Sequence, residues 1–219
     1  MPIPLPIRPF KKYSQFNEDG IIQSIFDYIS IENKYFVEIG CGSNASECNT
    51  RLLREQGWTG LQIDLLSKTT SVLSYHIDKD NVNTILSKYK VPKIFDLFSL
   101  DIDSNDYWVL QSFLTQYSPR VIVCEYNCYF GPHKSVSLQY NPNQKWDGIS
   151  WNYGASLAAF DKLLTFYNFK LICTSNGTNA FWICQKDVLK YDILVPTRES
   201  IFTRISRTRK FIDTGWINI

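Results

Sequence analysis

The chain has 219 residues, 44% of them hydrophobic and 20% charged, a balance that is typical of a globular domain and excludes a disordered chain. Its net charge of +2 gives no reason to expect nucleic acid or an anionic membrane as a partner. No apolar run approaches the ~20 residues of a membrane helix, and prolines interrupt the N-terminal apolar residues where a secretory signal would be continuous. Because its six cysteines form no C-x-x-C pair, we expect reduced thiols and a cytoplasmic location.

Short apolar runs rich in β-branched residues alternate with longer helical patterns, and this alternation predicts an α/β fold. Five strands are predicted in the first part of the chain, at 35–39, 61–64, 74–77, 95–101 and 120–125. Helices are predicted between them, at 49–56, 81–89 and 106–117. The fourth and fifth runs are apolar without clean alternation, as is typical of strands covered on both faces.

The regular pattern stops after the fifth strand, in a segment of about 25 residues at 126–152. This segment is rich in Asn, Gly, Pro and aromatic residues, and it is too long for a plain connector. A helix at 154–166 and a hairpin of strands at 169–174 and 179–185 complete the predicted core.

The predicted elements make up one domain with no internal repeat. Because a strand that is entered through a hairpin runs antiparallel to its neighbour, we expect a seven-stranded, mostly parallel sheet with an antiparallel last strand. Helices would cover both faces of this sheet. An N-terminal segment (1–30) precedes the core (35–185), and an appendage (187–219), helical around 200–210, follows it.

The first predicted strand leads into a glycine turn, Gly40-Cys41-Gly42. Glycines after a strand let the backbone approach a ligand and supply main-chain N–H groups. The third glycine of a dinucleotide site is absent, since position 45 is Ala. Asp64 ends the second strand, where it is placed to accept both hydroxyls of a ribose. These features favour an adenosine ligand without a pyrophosphate, such as S-adenosylmethionine, although the turn could need only positive φ and Asp64 could cap a helix.

Four motifs in order resemble the FkbM-like methyltransferases: SQFNEDGIIQSIF at 14–26, ECNTRLL after the glycine turn, GWTGLQID, and SLDIDSNDYWVL. The resemblance covers about 14–185 and implies the Rossmann-like class I fold, S-adenosylmethionine as cofactor, and methylation of hydroxyl groups on sugars and related natural products. It also implies cofactor contacts, with Glu38, Gly40 and Gly42 at the methionine part, Asp64 at the ribose, Ser14, Gln15 and Asp19 closing over the site, and Asp80 or Asn81 near the adenine. Ser104, where glycine is usual, departs from the pattern and leaves the shape of that loop open.

Acids also end the fourth strand, at Asp101 and Asp103, and the fifth, at Glu125 followed by Asn127. The carboxyl ends of strands face the crevice in which doubly wound sheets bind ligands. Asp101, Glu125 and Asn127 are therefore a candidate site for Mg²⁺ or Mn²⁺, similar to the layout of catechol-type O-methyltransferases. A metal there would lower the pKa of an acceptor hydroxyl. Alternatively, these acids cap helices, and Asp101, Asp103 or His133 supplies the catalytic base.

Aromatic residues are concentrated in the long segment 126–152, where Tyr129, Trp146 and Trp151 are candidates for stacking against the C–H faces of a sugar. The alternative is a self-packed loop with a small core of its own. The basic cluster at 204–210 is expected to be a solvated helix face or a frayed tail rather than a phosphate-binding patch.

The sequence therefore predicts an S-adenosylmethionine-dependent O-methyltransferase that acts on a sugar hydroxyl of a glycan or glycoconjugate, with metal assistance left open. The alternatives are a small-molecule or lipid O-methyltransferase and a non-catalytic binding module that retains the fold. A nicotinamide dehydrogenase is disfavoured by the missing third glycine.

Overall fold

The computed structural model describes residues 1–219. In chain order, its elements are α1 (Glu18–Ile29), β1 (Tyr35–Ile39), α2 (Arg51–Glu55), β2 (Thr59–Asp64), β3 (Leu73–Ser74), α3 (Val82–Lys88), β4 (Ile94–Leu100), α4 (Asp106–Phe113), β5 (Ser118–Glu125), a 3₁₀ turn (Cys128–Phe130), β6 (Val136–Leu138), α5 (Leu157–Phe166), β7 (Phe169–Ser175), β8 (Asn179–Cys184), α6 (Gln185–Lys190), α7 (Arg198–Ile201) and β9 (Trp216–Asn218). No helix among them is both long enough and apolar enough to cross a membrane.

Seven strands form one sheet in the order β3-β2-β1-β4-β5-β8-β7. Strands β1 to β5 are mutually parallel, whereas β8 runs antiparallel to both of its neighbours. The predicted mostly parallel sheet with an antiparallel last strand is therefore confirmed. The strand order reverses direction between β1 and β4, and such a reversal opens a crevice at the carboxyl ends of the strands.

Helix α1 lies before the first predicted strand and has no counterpart in the predicted order of elements. Its apolar side chains recur at helical spacing, at Ile21, Ile22, Ile25, Phe26 and Ile29, and all five are buried. They pack on one face of the sheet together with side chains of α2 and α6. Burial of this stripe holds the N-terminal segment against the sheet.

Helices cover both faces of the sheet, and successive side chains of β5 point alternately to one helical layer and to the other. Val121 and Val123 face the cluster that contains α1, whereas Ile122 and Cys124 face a larger cluster built with α3, α4 and α5. All four side chains are fully buried. An apolar run without polar alternation therefore forms here because each face of the strand has its own helical layer.

The C-terminal appendage differs from its prediction. Helix α7 covers only the beginning of the helix expected around 200–210, and residues 202–213 have no regular secondary structure. The prediction is wrong there because the chain bonds to the rest of the protein instead of to itself: the Thr203 carbonyl accepts from the Tyr126 hydroxyl (2.6 Å), and the Lys210 carbonyl accepts from the Trp151 N–H (2.9 Å).

The long segment and the C-terminal residues form one unit. Strand β6 pairs antiparallel with β9, so that Leu138 lies opposite Trp216. The ring of Trp216 packs on Phe130 with 4.4 Å between ring centroids, and Phe211 stacks on Tyr129 at 4.4 Å. We call residues 126–156 together with 202–219 the loop–tail unit. The self-packed loop, which is the alternative to a sugar-stacking loop, is thus present, with part of its core supplied by the C-terminal residues.

Candidate active site

The glycine turn lies at the crevice and packs directly on the end of β4. A Cβ atom added at Gly40 (φ +85°) would lie 1.5 Å from the carbonyl oxygen of Asp101, so no other residue fits there. A Cβ added at Gly42 (φ +75°) would meet nothing within 4 Å. Gly40 therefore has a structural role that needs no ligand, whereas Gly42 leaves open space beside the turn.

Asp64 ends β2 next to this turn. Its carboxylate accepts from the Gly42 N–H (2.9 Å) and from the Leu66 N–H (3.2 Å), which holds the side chain at the rim of the crevice. Both hydrogen bonds use backbone donors, and the side chain stays partly exposed. This is the position that the sequence predicts for a ribose-binding acid.

Glu38 points away from solvent and organises the chain that follows the glycine turn. Its carboxylate accepts from the N–H groups of Asn49 (2.7 Å) and Thr50 (3.2 Å), from the Thr50 hydroxyl, and from the Gln62 amide (3.4 Å). Burial raises the pKa of Glu38, and these hydrogen bonds partly offset the effect. Glu38 thus supports the start of α2, and its oxygens are already occupied by donors of the chain itself.

The predicted closing residues of the N-terminal segment have two different environments. One carboxylate oxygen of Asp19 accepts from the backbone N–H groups of residues 12–14 and from the Ser14 hydroxyl, at 2.7–2.8 Å. Ser14 and Asp19 are buried and shape this turn. Gln15, between them, lines a cavity at the carboxyl ends of β4 and β5.

Three acids meet in that cavity. Carboxylate oxygens of Asp101, Asp103 and Glu125 all lie within 4.8 Å of one another, and each side chain is partly buried. Asp106 stands behind them and accepts from the N–H groups of Ile102 (2.8 Å) and Ser104 (2.9 Å), which shapes the loop after β4. Parallel pairing of β4 and β5 brings the acids together, because the ends of neighbouring parallel strands share one edge of the sheet.

The acids differ in how their surroundings affect ionisation. Burial and the charges of Asp103 and Asp106 raise the pKa of Asp101 well above its usual range, and burial with the neighbouring acids does the same for Glu125. Burial also raises the pKa of Asp103, but a hydrogen bond to Glu125 and the charge of Arg209 oppose the effect. Burial raises the pKa of Asp106 to about 6. Burial and mutual repulsion therefore favour the protonated forms of Asp101 and Glu125, whereas Asp103 has a nearby cation that favours its ionised form.

The remaining walls of the cavity are aromatic and basic. We call it the acidic chamber; its volume is about 140 Å³, and its lining residues are Gln15, Asp101, Asp103, Glu125, Trp146, Trp151, Tyr153, Thr178, Ile205, Arg207 and Arg209. At ~30 Å³ per water molecule, the chamber has room for about five waters, so only one edge of a sugar-sized ligand would fit inside it. A larger groove of about 440 Å³ is lined by other residues of the 144–152 loop, among them Gln144, Asp147 and Asn152.

Several predicted site residues lie outside the chamber. Asn127 is not a partner of Asp101 and Glu125: its amide donates to the carbonyls of Trp151 (2.6 Å) and Tyr153 (3.0 Å), and its oxygen accepts from the Tyr129 N–H. Asp103 takes the third position of the predicted metal set instead. Asn127 therefore ties the loop to the strand end, which its sequence position could not distinguish from ligation.

Tyr129 and His133 are also directed elsewhere. Tyr129 stacks on Phe211 inside the loop–tail unit. The imidazole of His133 is 72% exposed and lies 3.3 Å from the Glu199 carboxylate at the surface. The structure thus brings Trp146 and Trp151 to the acids but not these two residues.

Asp80 and Asn81 form the turn before α3. Asp80 is exposed and pairs with Lys79 (2.9 Å), while Asn81 accepts from the Asp78 N–H and donates to the His76 carbonyl. Their proximity to an adenine stays a prediction.

Sequence reasoning missed Thr178 and the two chamber arginines, Arg207 and Arg209. Both arginines belong to the basic cluster that the sequence predicts to be solvated. The sequence did contain a signal against the predicted helix. The two arginines are two residues apart, and the residues around them are rich in hydroxyl and β-branched side chains, which have low helix propensity. That these arginines line the chamber depends on the pairing of the C-terminal tail with β6, which is distant in sequence, and no local pattern reveals this pairing.

The order and directions of the seven strands, with the crevice between β1 and β4, are those of the Rossmann-like class I methyltransferase fold. The chain matches no protein-family model and no curated protein. Among solved structures it is similar to an S-adenosylmethionine-dependent methyltransferase from Clostridium acetobutylicum, with 11% identity, a TM-score of 0.46, and coverage of 76% of this chain and 90% of that one. It is also similar to a protein from Plasmodium falciparum described as a ribosomal RNA methyltransferase, with 10% identity, a TM-score of 0.43, and coverage of 79% and 97%. At this level of similarity, neither protein's activity carries over to this chain.

Proposed function

We propose that this protein is an S-adenosylmethionine-dependent methyltransferase that methylates a hydroxyl of a sugar in a glycan or glycoconjugate. The observation that carries the proposal is the contact between two half-sites: the glycine turn with Asp64 on one side of the crevice, and the acidic chamber on the other, joined where Gly40 packs on Asp101. The motif resemblance of residues 14–185 points to the same chemistry.

The glycine half-site suits the cofactor. Open space beside Gly42 and a partly exposed carboxylate at Asp64 offer a surface for a ribose. When bound, S-adenosylmethionine supplies an electrophilic methyl group. The protein then has to hold an acceptor oxygen in line with that group and remove its proton, and most of the rate gain would come from this alignment.

The chamber supplies groups for both tasks. Trp146 lines the chamber and is partly exposed, so it offers an aromatic surface to the C–H face of a sugar, whereas Trp151 is buried with the Arg209 guanidinium over its ring. Asp103, with Arg209 favouring its ionised form, accepts the proton of the acceptor hydroxyl. The larger groove lined by the 144–152 loop provides amide and carboxylate groups for further hydroxyls of a longer glycan.

The alternative to a free carboxylate base is a divalent cation, which also fits the chamber. Asp101, Asp103 and Glu125 offer three carboxylate oxygens, the ligands that Mg²⁺ prefers. These residues would hold the ion, which would lower the pKa of the acceptor hydroxyl. Relief of the repulsion among the acids favours such binding.

The first test is calorimetric titration with S-adenosylhomocysteine, with and without Mg²⁺ or Mn²⁺. We expect micromolar binding to the wild type, loss of binding in Asp64→Ala, and retention in Asp213→Ala, which removes an exposed acid of the tail. Absence of heat under all conditions would overturn the proposal and favour a non-catalytic binding module. Transfer of labelled methyl groups to lipids or small molecules, but to no sugar, would replace the sugar acceptor with the alternative class.

A further inference from the structure

A segment of the C-terminal tail crosses the acidic chamber and is fastened on both sides of it. At one end, the Thr203 hydroxyl accepts from the Gly177 N–H (2.7 Å) and its carbonyl accepts from the Tyr126 hydroxyl (2.6 Å). At the other end, the Lys210 carbonyl accepts from the Trp151 N–H (2.9 Å). We call residues 203–210 the roof segment. Because hydrogen bonds hold the roof segment at both ends, its side chains are a fixed part of the chamber wall.

Two arginines of the roof segment face the chamber. Arg207 and Arg209 both line it, and Arg209 lies over three aromatic rings, 4.7 Å from the centroid of Trp146, 5.1 Å from that of Trp151 and 5.7 Å from that of Tyr153. Stacking of this kind orients the plane of a guanidinium and removes part of its hydration. The edge of the Arg209 group, which carries the N–H donors, is left for other partners.

Neither guanidinium has such a partner within the chain. The arginines at 120 and 198 form ion pairs with acids at 2.8–3.0 Å, whereas Arg207 and Arg209 form no ion pair and no side-chain hydrogen bond. A guanidinium carries five N–H donors. Arg209 is partly buried, where donors without acceptors are costly, whereas Arg207 is exposed. Carboxylate, phosphate and sulfate groups match its planar fork.

We propose that Arg207 and Arg209 form an oxyanion subsite in the acceptor pocket, so that the acceptor is an acidic sugar, one that carries a carboxylate or phosphate group. The inference rests on the proposed function, because it gives the substrate class of the same chamber. The acidic group of the sugar lies under the roof segment, and a hydroxyl of the same ring faces Asp103 and Glu125. Neutral sugars lose the contacts to both arginines.

The test compares matched acidic and neutral sugars for binding in the presence of S-adenosylhomocysteine. The pairs are methyl β-glucuronide with methyl β-glucoside, methyl α-galacturonide with methyl α-galactoside, and glucose 6-phosphate with glucose. We expect the acidic member of at least one pair to bind at least tenfold more tightly, and the pair that shows it distinguishes a carboxylate from a phosphate. Equal binding within every pair overturns the oxyanion subsite.

Variants test whether the preference for acidic over neutral sugars depends on the two arginines. Arg209→Gln and the double variant Arg207→Gln/Arg209→Gln should reduce the preference to less than twofold, whereas Lys210→Gln removes a charge one residue away and should keep it. A preference that survives the double variant, or that Lys210→Gln abolishes equally, overturns the assignment. S-adenosylhomocysteine binding by the same samples shows that each variant is folded. It also separates the two proposals, since intact cofactor binding without any acid preference refutes only the subsite.

Discussion

Besides lowering methyl transfer by removing one of the three carboxylates proposed to hold a divalent cation, replacing Asp101 by Asn should make the protein more stable at alkaline pH. The reason is the crowding of three carboxylates whose oxygens lie within 4.8 Å of one another. An asparagine amide has nearly the same shape, carries no charge, and can still donate a hydrogen bond to Glu125. The substitution therefore removes repulsion without opening a cavity.

The magnitude follows from the separation of the charges. At 4.8 Å and an effective dielectric constant of about 20, two ionised carboxylates repel each other by about 3.5 kcal/mol. The folded protein avoids part of this cost by keeping a proton, and the acids are only partly buried, so a gain of about 1–3 kcal/mol is expected at pH 8. For a chain of this length, such a gain raises the Tm by roughly 2–12 °C.

The sign of the pH dependence is defined by the raised pKa of Asp101. An acid whose pKa is higher in the folded chain holds a proton that the unfolded chain has released, so stability is lost as the pH rises from the unfolded pKa through the folded one. Below the unfolded pKa, the wild type bears no penalty. Thermal denaturation of the wild type and Asp101→Asn from pH 4 to pH 8, in EDTA, should therefore show curves that diverge with rising pH.

Asp213→Asn is the matched control, because it removes one carboxylate from an exposed position of the tail. A Tm of Asp101→Asn below that of the wild type by the same amount at every pH would refute the repulsion and give Asp101 a structural role. Repeating the series with Mg²⁺ tests the metal: an ion held by the chamber should raise the Tm of the wild type at pH 8 and leave that of Asp101→Asn nearly unchanged.

Three further predictions concern other parts of the molecule. Gly40→Ala should prevent folding or cost several kcal/mol because its Cβ would overlap a backbone carbonyl, whereas Gly42→Ala should cost about 1 kcal/mol, as strain from positive φ alone, in urea denaturation. Arg120→Met should lower the free energy of unfolding by about 3–5 kcal/mol, since it leaves two buried carboxylates, each 2.8 Å from the guanidinium, without their cation. Trp216→Ala should weaken sugar binding in calorimetry while leaving S-adenosylhomocysteine affinity unchanged, because the ring packs within the loop–tail unit and not on the glycine turn. Equal losses for both glycine variants, or a stable Arg120→Met, would contradict the packing from which these values derive.

Local sequence signals predict the sheet well, because strands and their turns are encoded in short stretches. The five parallel strands and the hairpin occur at the predicted places, with ends that differ by up to three residues. The helix expected around 200–210 is wrong for a non-local reason: Thr203 and Lys210 find partners more than 50 residues away, and these bonds replace helical ones. Helix propensity is a weak preference that tertiary contacts override.

The candidate site, like the fold, has features that local sequence signals predict and features that depend on tertiary contacts. Asp64, Asp101 and Glu125 could be located from strand ends alone, since topology places the carboxyl ends of parallel strands at one edge. Asn127 could not be assigned, because ligation and a loop-capping role need the same residue at the same position. The role of Arg209 in lining the chamber could not be predicted, because its distance from the acids depends on how the C-terminal tail folds back over the sheet.

The two halves of the site belong to different structural layers, and this separates their functions. The glycine turn and the acids stand on strands of the main sheet, whose backbone is held by parallel pairing on both sides. The aromatic and basic walls stand on the loop–tail unit, which joins the sheet through a few anchors such as Thr203 and through its own β6–β9 pairing. A chamber of mutually repelling acids costs stability, and such a cost persists where the acids serve a function. In the function that we propose, the sheet therefore supplies the groups for proton removal, and the loop–tail unit supplies those that select the acceptor. Asp101→Asn and Arg209→Gln probe these halves one at a time: the first should change stability and turnover with little effect on acid preference, and the second should change acid preference with little effect on cofactor binding.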